Sequence, residues 1–249
     1  MNYNSKKVTG TISVTIDGQK FSVNYGTTLL AAAKDLGIDI PTLCHHPGLP
    51  PDGNCRLCLV EFEGRLAASC LFPLRTDGAV FLTDSPLVLE ARSFVIKLLL
   101  SRVPQDGYLS ELAERYGVKP EPRLSDGADG CLRCGRCVRA CRAVGTEAIS
   151  LVGRSRERKV TGPFFEPPID CLGCLACARS CPTGIISFGE EPRTIWGRDF
   201  ELISCSQCGR IVGTPQELKR LGLENPICPD CRRREYSSAI KNLPQASFS

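Results

Sequence analysis

Sixteen cysteines constrain this chain of 249 residues more than any other feature, because they fall into four sets of four with none left over. The sets are Cys44, Cys55, Cys58 and Cys70; Cys131, Cys134, Cys137 and Cys141; Cys171, Cys174, Cys177 and Cys181; and Cys205, Cys208, Cys228 and Cys231. Disulfide frameworks belong to secreted chains, whereas Cys-x-x-Cys pairs without an export signal point to metal sites in a reducing compartment. The start, Met1-Asn-Tyr-Asn-Ser-Lys-Lys7, carries no apolar core of a signal peptide, so a cytoplasmic protein is expected. The longest apolar stretch, Leu87 to Leu100, is interrupted by Glu90, Arg92, Ser93 and Lys97, which excludes membrane insertion.

The formal charge of +4 by itself suggests a nucleic-acid partner. Metal-bound cysteines, however, are thiolates. Four oxidised four-thiolate sites carry about −8 together and bring the metallated chain to about −4, so no nucleic-acid partner is expected. Many arginines sit beside the cysteines (Arg56, Arg133, Arg136, Arg139, Arg142, Arg179, Arg210, Arg232, Arg233, Arg234) and read as counter-charges that raise reduction potentials.

The length and the low aromatic content, 6%, favour several small modules in an α+β chain. Residues 11–24 alternate in β-rich fashion about Asp17-Gly18, a two-residue hairpin signal. Thr27-Thr28 then cap an apolar helix that stops at Gly37, and the first cysteine loop follows. Leu57–Phe62 and Arg65–Ala68 predict a second hairpin about Glu63-Gly64, and Ala79–Leu82 a closing strand. Asp84-Ser85-Pro86 caps a helix over 87–102, with another over 108–116. This order predicts a β-grasp ferredoxin domain (9–85) and a helical spacer (86–125). A duplicated cysteine module (126–192) and a ribbon-like module (200–234) follow, with a frayed tail beyond. Arg154–Lys159 reads as a solvated hairpin or loop.

Each spacing implies its own chemistry. Cys44-x10-Cys55-x2-Cys58-x11-Cys70 has the loop, Cys-x-x-Cys and distant fourth cysteine of a plant-type [2Fe–2S] site, with a longer first gap. Cys131-x2-Cys134-x2-Cys137-x3-Cys141 and Cys171-x2-Cys174-x2-Cys177-x3-Cys181-Pro182 form the bacterial signature for two [4Fe–4S] clusters. The fourth cysteine of each run ligates the other cluster in that signature. One cubane is therefore assigned to Cys131, Cys134, Cys137 and Cys181, and the other to Cys171, Cys174, Cys177 and Cys141. Arg142 stands where a proline is usual. The last set, two Cys-x-x-Cys knuckles 19 residues apart, has zinc-ribbon spacing. Its sulfur-only shell leaves zinc, a third [4Fe–4S] cluster or a single iron open. His45 and His46 read as loop residues that tune hydrogen bonding. No Ser/His/Asp set, Gly-x-Gly-x-x-Gly or Walker loop appears, so no catalytic residue is assigned.

The order of [2Fe–2S] β-grasp, helical spacer and two [4Fe–4S] loops over residues 11–190 resembles the diaphorase iron–sulfur (gamma) subunits of NAD(P)-linked and bifurcating hydrogenases. It is similar as well to the N-terminal part of the complex I large iron–sulfur subunit. The resemblance implies a non-catalytic relay of single electrons between a flavin-bearing NAD(P)H subunit and a hydrogenase or other dehydrogenase subunit, with ferredoxin as a further partner only in a bifurcating complex. In those families the spacer carries an additional cubane held by one His and three Cys. Leu98–Gly117 here has none of those ligands. Two alternatives are a succinate dehydrogenase or fumarate reductase iron–sulfur subunit, disfavoured by the ten-residue gap, and a redox sensor with a nucleic-acid-binding ribbon.

Overall fold

The structure, a computed structural model, describes residues 10–124, 129–154 and 157–241. Arg154–Lys159 is thus described only in part, and Met1–Lys7 lies outside it. The chain forms two compact units, one from residues 1–139 with 151–159 and one from 140–150 with 160–249.

The first unit begins with β1 (Thr11–Ile16) and β2 (Gln19–Asn24), antiparallel about Asp17 and Gly18. Both turn residues have positive φ (48° and 81°), as the primed turn that matches strand twist requires. The Asp17 carboxylate then accepts from the backbone N–H and the hydroxyl of Thr83, at 2.7 and 2.6 Å. Helix α1 (Leu29–Asp35) starts where the Thr28 hydroxyl accepts from Ala31 N–H, a cap worth about 1 kcal/mol. Strands β3 (Leu59–Phe62), β4 (Arg65–Ala68) and β5 (Ala79–Leu82) complete a mixed five-stranded sheet ordered β2-β1-β5-β3-β4. β5 runs parallel to β1 and antiparallel to β3. Val14, Ile16, Val60 and Phe81 on this sheet bury against Leu29 and Ala33 of α1.

A second core in the same unit belongs to the segment read as a spacer. Helix α2 (Pro86–Arg102) is capped by Ser85, with Pro86 at its first position, and α3 (Gly107–Arg115) is capped by Asp106. Ile96, Leu99 and Leu100 of α2 pack with Leu109 and Leu112 of α3, and also with Leu43, Leu57 and Leu132 from cysteine loops. Helix α4 (Arg136–Val144) and strands β6 (Ser150–Val152) and β7 (Lys159–Thr161) lie where the chain passes between units.

The second unit contains the one-turn helix α5 (Ala176–Arg179) and a three-stranded antiparallel sheet of β8 (Phe188–Glu190), β9 (Arg193–Ile195) and β10 (Arg198–Phe200). The hairpin β11 (Ile203–Ser204) and β12 (Ile211–Gly213) follows, then α6 (Pro215–Arg220) and α7 (Pro229–Lys241). α7 corrects the expectation of fraying after residue 234: the helix continues to Lys241. Pro229 opens it directly after Cys228, and Cys231 lies in its first turn. Among the described residues, no helix is long and apolar enough to cross a membrane.

Candidate iron–sulfur and metal centres

The first cysteine set lies on the long loop between α1 and β3 and just beyond β4. All four side chains are buried, and their sulfurs fall into two pairs. The Cys55 thiol donates to Cys44 and draws it down to about 6, while the Cys70 thiol does the same to Cys58, also to about 6. Cys55 and Cys70 are pushed far up by the same contacts. Two sulfur pairs fit a two-iron group that takes two cysteines at each iron. Of the two histidines, His46 is occupied in a local turn, its Nδ1 accepting from Gly48 N–H at 3.1 Å. Burial lowers the pKa of His45.

Cys131, Cys134 and Cys137 belong to the same unit. Arg133 N–H donates to the Cys131 sulfur at 3.4 Å, and Cys134 shares a core with Cys44 and Cys55. Gly135, at φ 73°, comes so close to the first loop that a Cβ there would stand 3.1 Å from the Asn54 amide nitrogen. Arg139, only 8% exposed, ties the two loops together: its guanidinium donates to Pro50 C=O at 2.6 Å and to Cys44 C=O. Cys181, assigned to the same cubane from the sequence, lies in the other unit, where its sulfur is 3.5 Å from the Thr183 hydroxyl.

In the second unit, Cys141 joins Cys171, Cys174 and Cys177 around one recess, closed by Ala148, Ile149, Leu175, Ile195 and Trp196. Burial raises Cys171 and Cys174 and pushes Cys177 up to about 11. Desolvated thiols gathered in this way are costly to ionise alone and suit a cationic iron core. The Cys141 sulfur lies 3.1 Å from the Thr146 hydroxyl, and Trp196 Nε1–H donates to the Cys177 sulfur at 3.4 Å. Hydrogen bonds to cluster sulfurs stabilise the reduced state. Trp196→Phe is therefore expected to lower the midpoint potential of a cluster held at this recess by on the order of tens of millivolts, read by EPR redox titration, with the [2Fe–2S] potential unchanged.

The fourth set is the most compact. The sulfurs of Cys205, Cys208, Cys228 and Cys231 all lie within 4.8 Å of one another, and Cys208 and Cys228 are 3.7 Å apart. A tetrahedron with metal–sulfur bonds of about 2.3 Å has edges of about 3.8 Å, so the site has the size of a single ion. Cys228 N–H donates to the Cys205 sulfur at 3.2 Å and, with the Gln207 and Cys208 amides, draws that thiol down to about 6.

Arg133, Arg142, Arg179 and Arg210 pair with Asp129, Glu147, Glu190 and Asp230. Arg139 donates to a cysteine carbonyl, that of Cys44. Arg198, which no motif marked, donates to the carbonyls of Pro168, Ile169 and Cys171. Trp196 was equally unmarked, although it is the single tryptophan of the chain.

Residues 9–85 match the 2Fe-2S iron-sulfur cluster binding domain, and residues 130–185 the 4Fe-4S dicluster domain. The chain therefore carries a 2Fe-2S iron-sulfur cluster binding domain followed by a 4Fe-4S dicluster domain. Among its relatives is an NADH-quinone oxidoreductase subunit of Rhizobium meliloti, 35% identical over 80% of this chain and 27% of the relative. The NADP-reducing hydrogenase subunit HndD of Solidesulfovibrio fructosivorans is 38% identical over 74% of this chain and 37% of its own length. The iron–sulfur protein thus spans about a third of the curated relatives that it matches. A chain in the crystal structure of an NAD+-reducing [NiFe]-hydrogenase in its H2-reduced state superposes with a TM-score of 0.58 at 26% identity, covering 70% of this chain and 85% of that one.

Proposed function

We propose that this chain is the electron-relay subunit of a larger NAD(P)-linked oxidoreductase in the cytoplasm. It passes single electrons between a flavin-bearing NAD(P)H subunit and a second redox subunit, a hydrogenase. Cys44, Cys55, Cys58 and Cys70 hold a [2Fe–2S] cluster in a β-grasp domain. Cys131, Cys134, Cys137 and Cys181 hold one [4Fe–4S] cluster, and Cys171, Cys174, Cys177 and Cys141 the other. Cys205, Cys208, Cys228 and Cys231 hold zinc in a ribbon-like module, since their spacing is that of one ion.

The observation that carries this reading is the core shared by Cys44, Cys55, Leu132 and Cys134. It packs the first cysteine loop directly against the loop of the first cubane set, with Arg139 across both. Loops in such contact suit electron tunnelling without an intermediate centre, in keeping with a spacer that lacks the extra His/Cys cluster. Metal and acid-labile sulfide analysis of anaerobically purified protein, with EPR of the reduced state, is expected to give ~10 Fe, ~10 sulfide and ~1 Zn per chain. A result of ~14 Fe without zinc would reject the zinc assignment. Absence of a [2Fe–2S] signal would reject the relay.

A further inference from the structure

We infer that the C-terminal four-cysteine module serves as a clamp on the cubane site of Cys141, Cys171, Cys174 and Cys177, with Thr214 as the positioning residue. The inference rests on the reading that Cys205, Cys208, Cys228 and Cys231 bind a metal. Thr214 is fully buried and follows β12 immediately. Its hydroxyl accepts from Glu217 N–H at 3.2 Å, capping α6, and donates to Leu172 C=O at 2.6 Å. Leu172 directly follows Cys171 in the chain, two residues before Cys174.

The neighbouring contacts close a ring around that loop. The Glu217 carboxylate accepts from Thr214 N–H at 2.8 Å and stands 3.5 Å from the buried guanidinium of Arg193, which in turn reaches Gly173 C=O at 3.5 Å. Gly173 has a φ of 72° and presses on the Phe200 ring, where a Cβ would come within 2.7 Å of ring carbon. At the other end of α6, Arg220 donates to Gly145 C=O at 3.1 Å, four residues beyond Cys141. One six-residue helix therefore holds both segments that bring thiols to the recess. What places that helix is the two-stranded hairpin β11–β12, whose connecting turn carries Cys205 and Cys208. A hairpin of this length is not stable by itself, so the metal that joins its knuckle to Cys228 and Cys231 supplies the order.

The test uses the full metallated chain with Thr214→Val, Thr214→Ser and Cys208→Ser. Thr214→Val is expected to keep the C-terminal metal and the [2Fe–2S] signal. It should release iron from the Cys171-containing cubane about tenfold faster under mild chelation, with altered EPR of that cubane alone. Thr214→Ser, which keeps the hydroxyl, should restore wild-type behaviour, and Cys208→Ser should reproduce the valine defect. Unchanged iron release and EPR in both Thr214→Val and Cys208→Ser, with metal present in the wild type, would overturn the clamp alone. A wild type with no metal at the C-terminal set would overturn the reading beneath it.

Discussion

Replacing Arg92 by methionine is expected to lower the stability of the first unit by about 3–5 kcal/mol, because it strips the donors from several buried acceptors at once. Arg92 is 1% exposed, and its guanidinium donates to the carbonyls of Leu57 (3.2 Å), Leu59 (2.8 Å) and Thr83 (3.1 Å) and to the Tyr116 hydroxyl (2.7 Å). Methionine fills much of the volume but leaves three buried carbonyls without donors, each costing about 1–3 kcal/mol. Because Leu57 lies between Cys55 and Cys58, the [2Fe–2S] site should loosen with the fold. Urea unfolding followed by cluster absorbance measures both. Arg92→Lys should recover only part of the loss, since a single ammonium does not reproduce the planar fork. Arg115→Ala, which removes an exposed pair with Asp39, should cost less than about 1 kcal/mol and serves as the control. A loss below about 1 kcal/mol in Arg92→Met would mean that water or rearranged backbone replaces the arginine.

The second large effect is expected from Cys141→Ser. Cys141 lines the recess of Cys171, Cys174 and Cys177, so its loss should abolish the cubane proposed for that set and reduce iron from ~10 to ~6 per chain. The surviving cubane should have the same EPR spectrum and potential as the one that survives in Cys171→Ser, and should differ from the survivor in Cys137→Ser. Trp196 provides an internal check, because its indole N–H reaches Cys177. Adding Trp196→Phe to Cys141→Ser should cause no further shift in the remaining cluster. Matching survivors in Cys141→Ser and Cys137→Ser would instead show that each cysteine run keeps its own cluster.

The features that were legible in the sequence are those set by a few adjacent residues. Asp17-Gly18 specified the first hairpin, and Thr28 and Ser85-Pro86 lie at the helix starts. The strands β8, β9 and β10 escaped notice because each has three residues, too few for an alternating pattern to show. α7 escaped because its Arg232-Arg233-Arg234 run carries no apolar stripe, and the cysteines at its start anchor it instead. Arg92 was read as an interruption of an apolar segment and proved to be its buried centre.

The sequence by itself grouped the cysteines into four sets and marked the 2Fe-2S and dicluster spacings while leaving the metal of the fourth set open, because cluster spacing is a local property of a short loop. Only the tertiary structure decided that Cys134 shares a core with Cys44 and Cys55, and that Thr214 and Arg139 take up carbonyls of cysteine loops. Those contacts join residues far apart in the chain, up to 95 positions for Arg139 and Cys44. A hydrogen bond or packed side chain at that separation leaves no periodic trace, since the partner is chosen by how the folded elements meet.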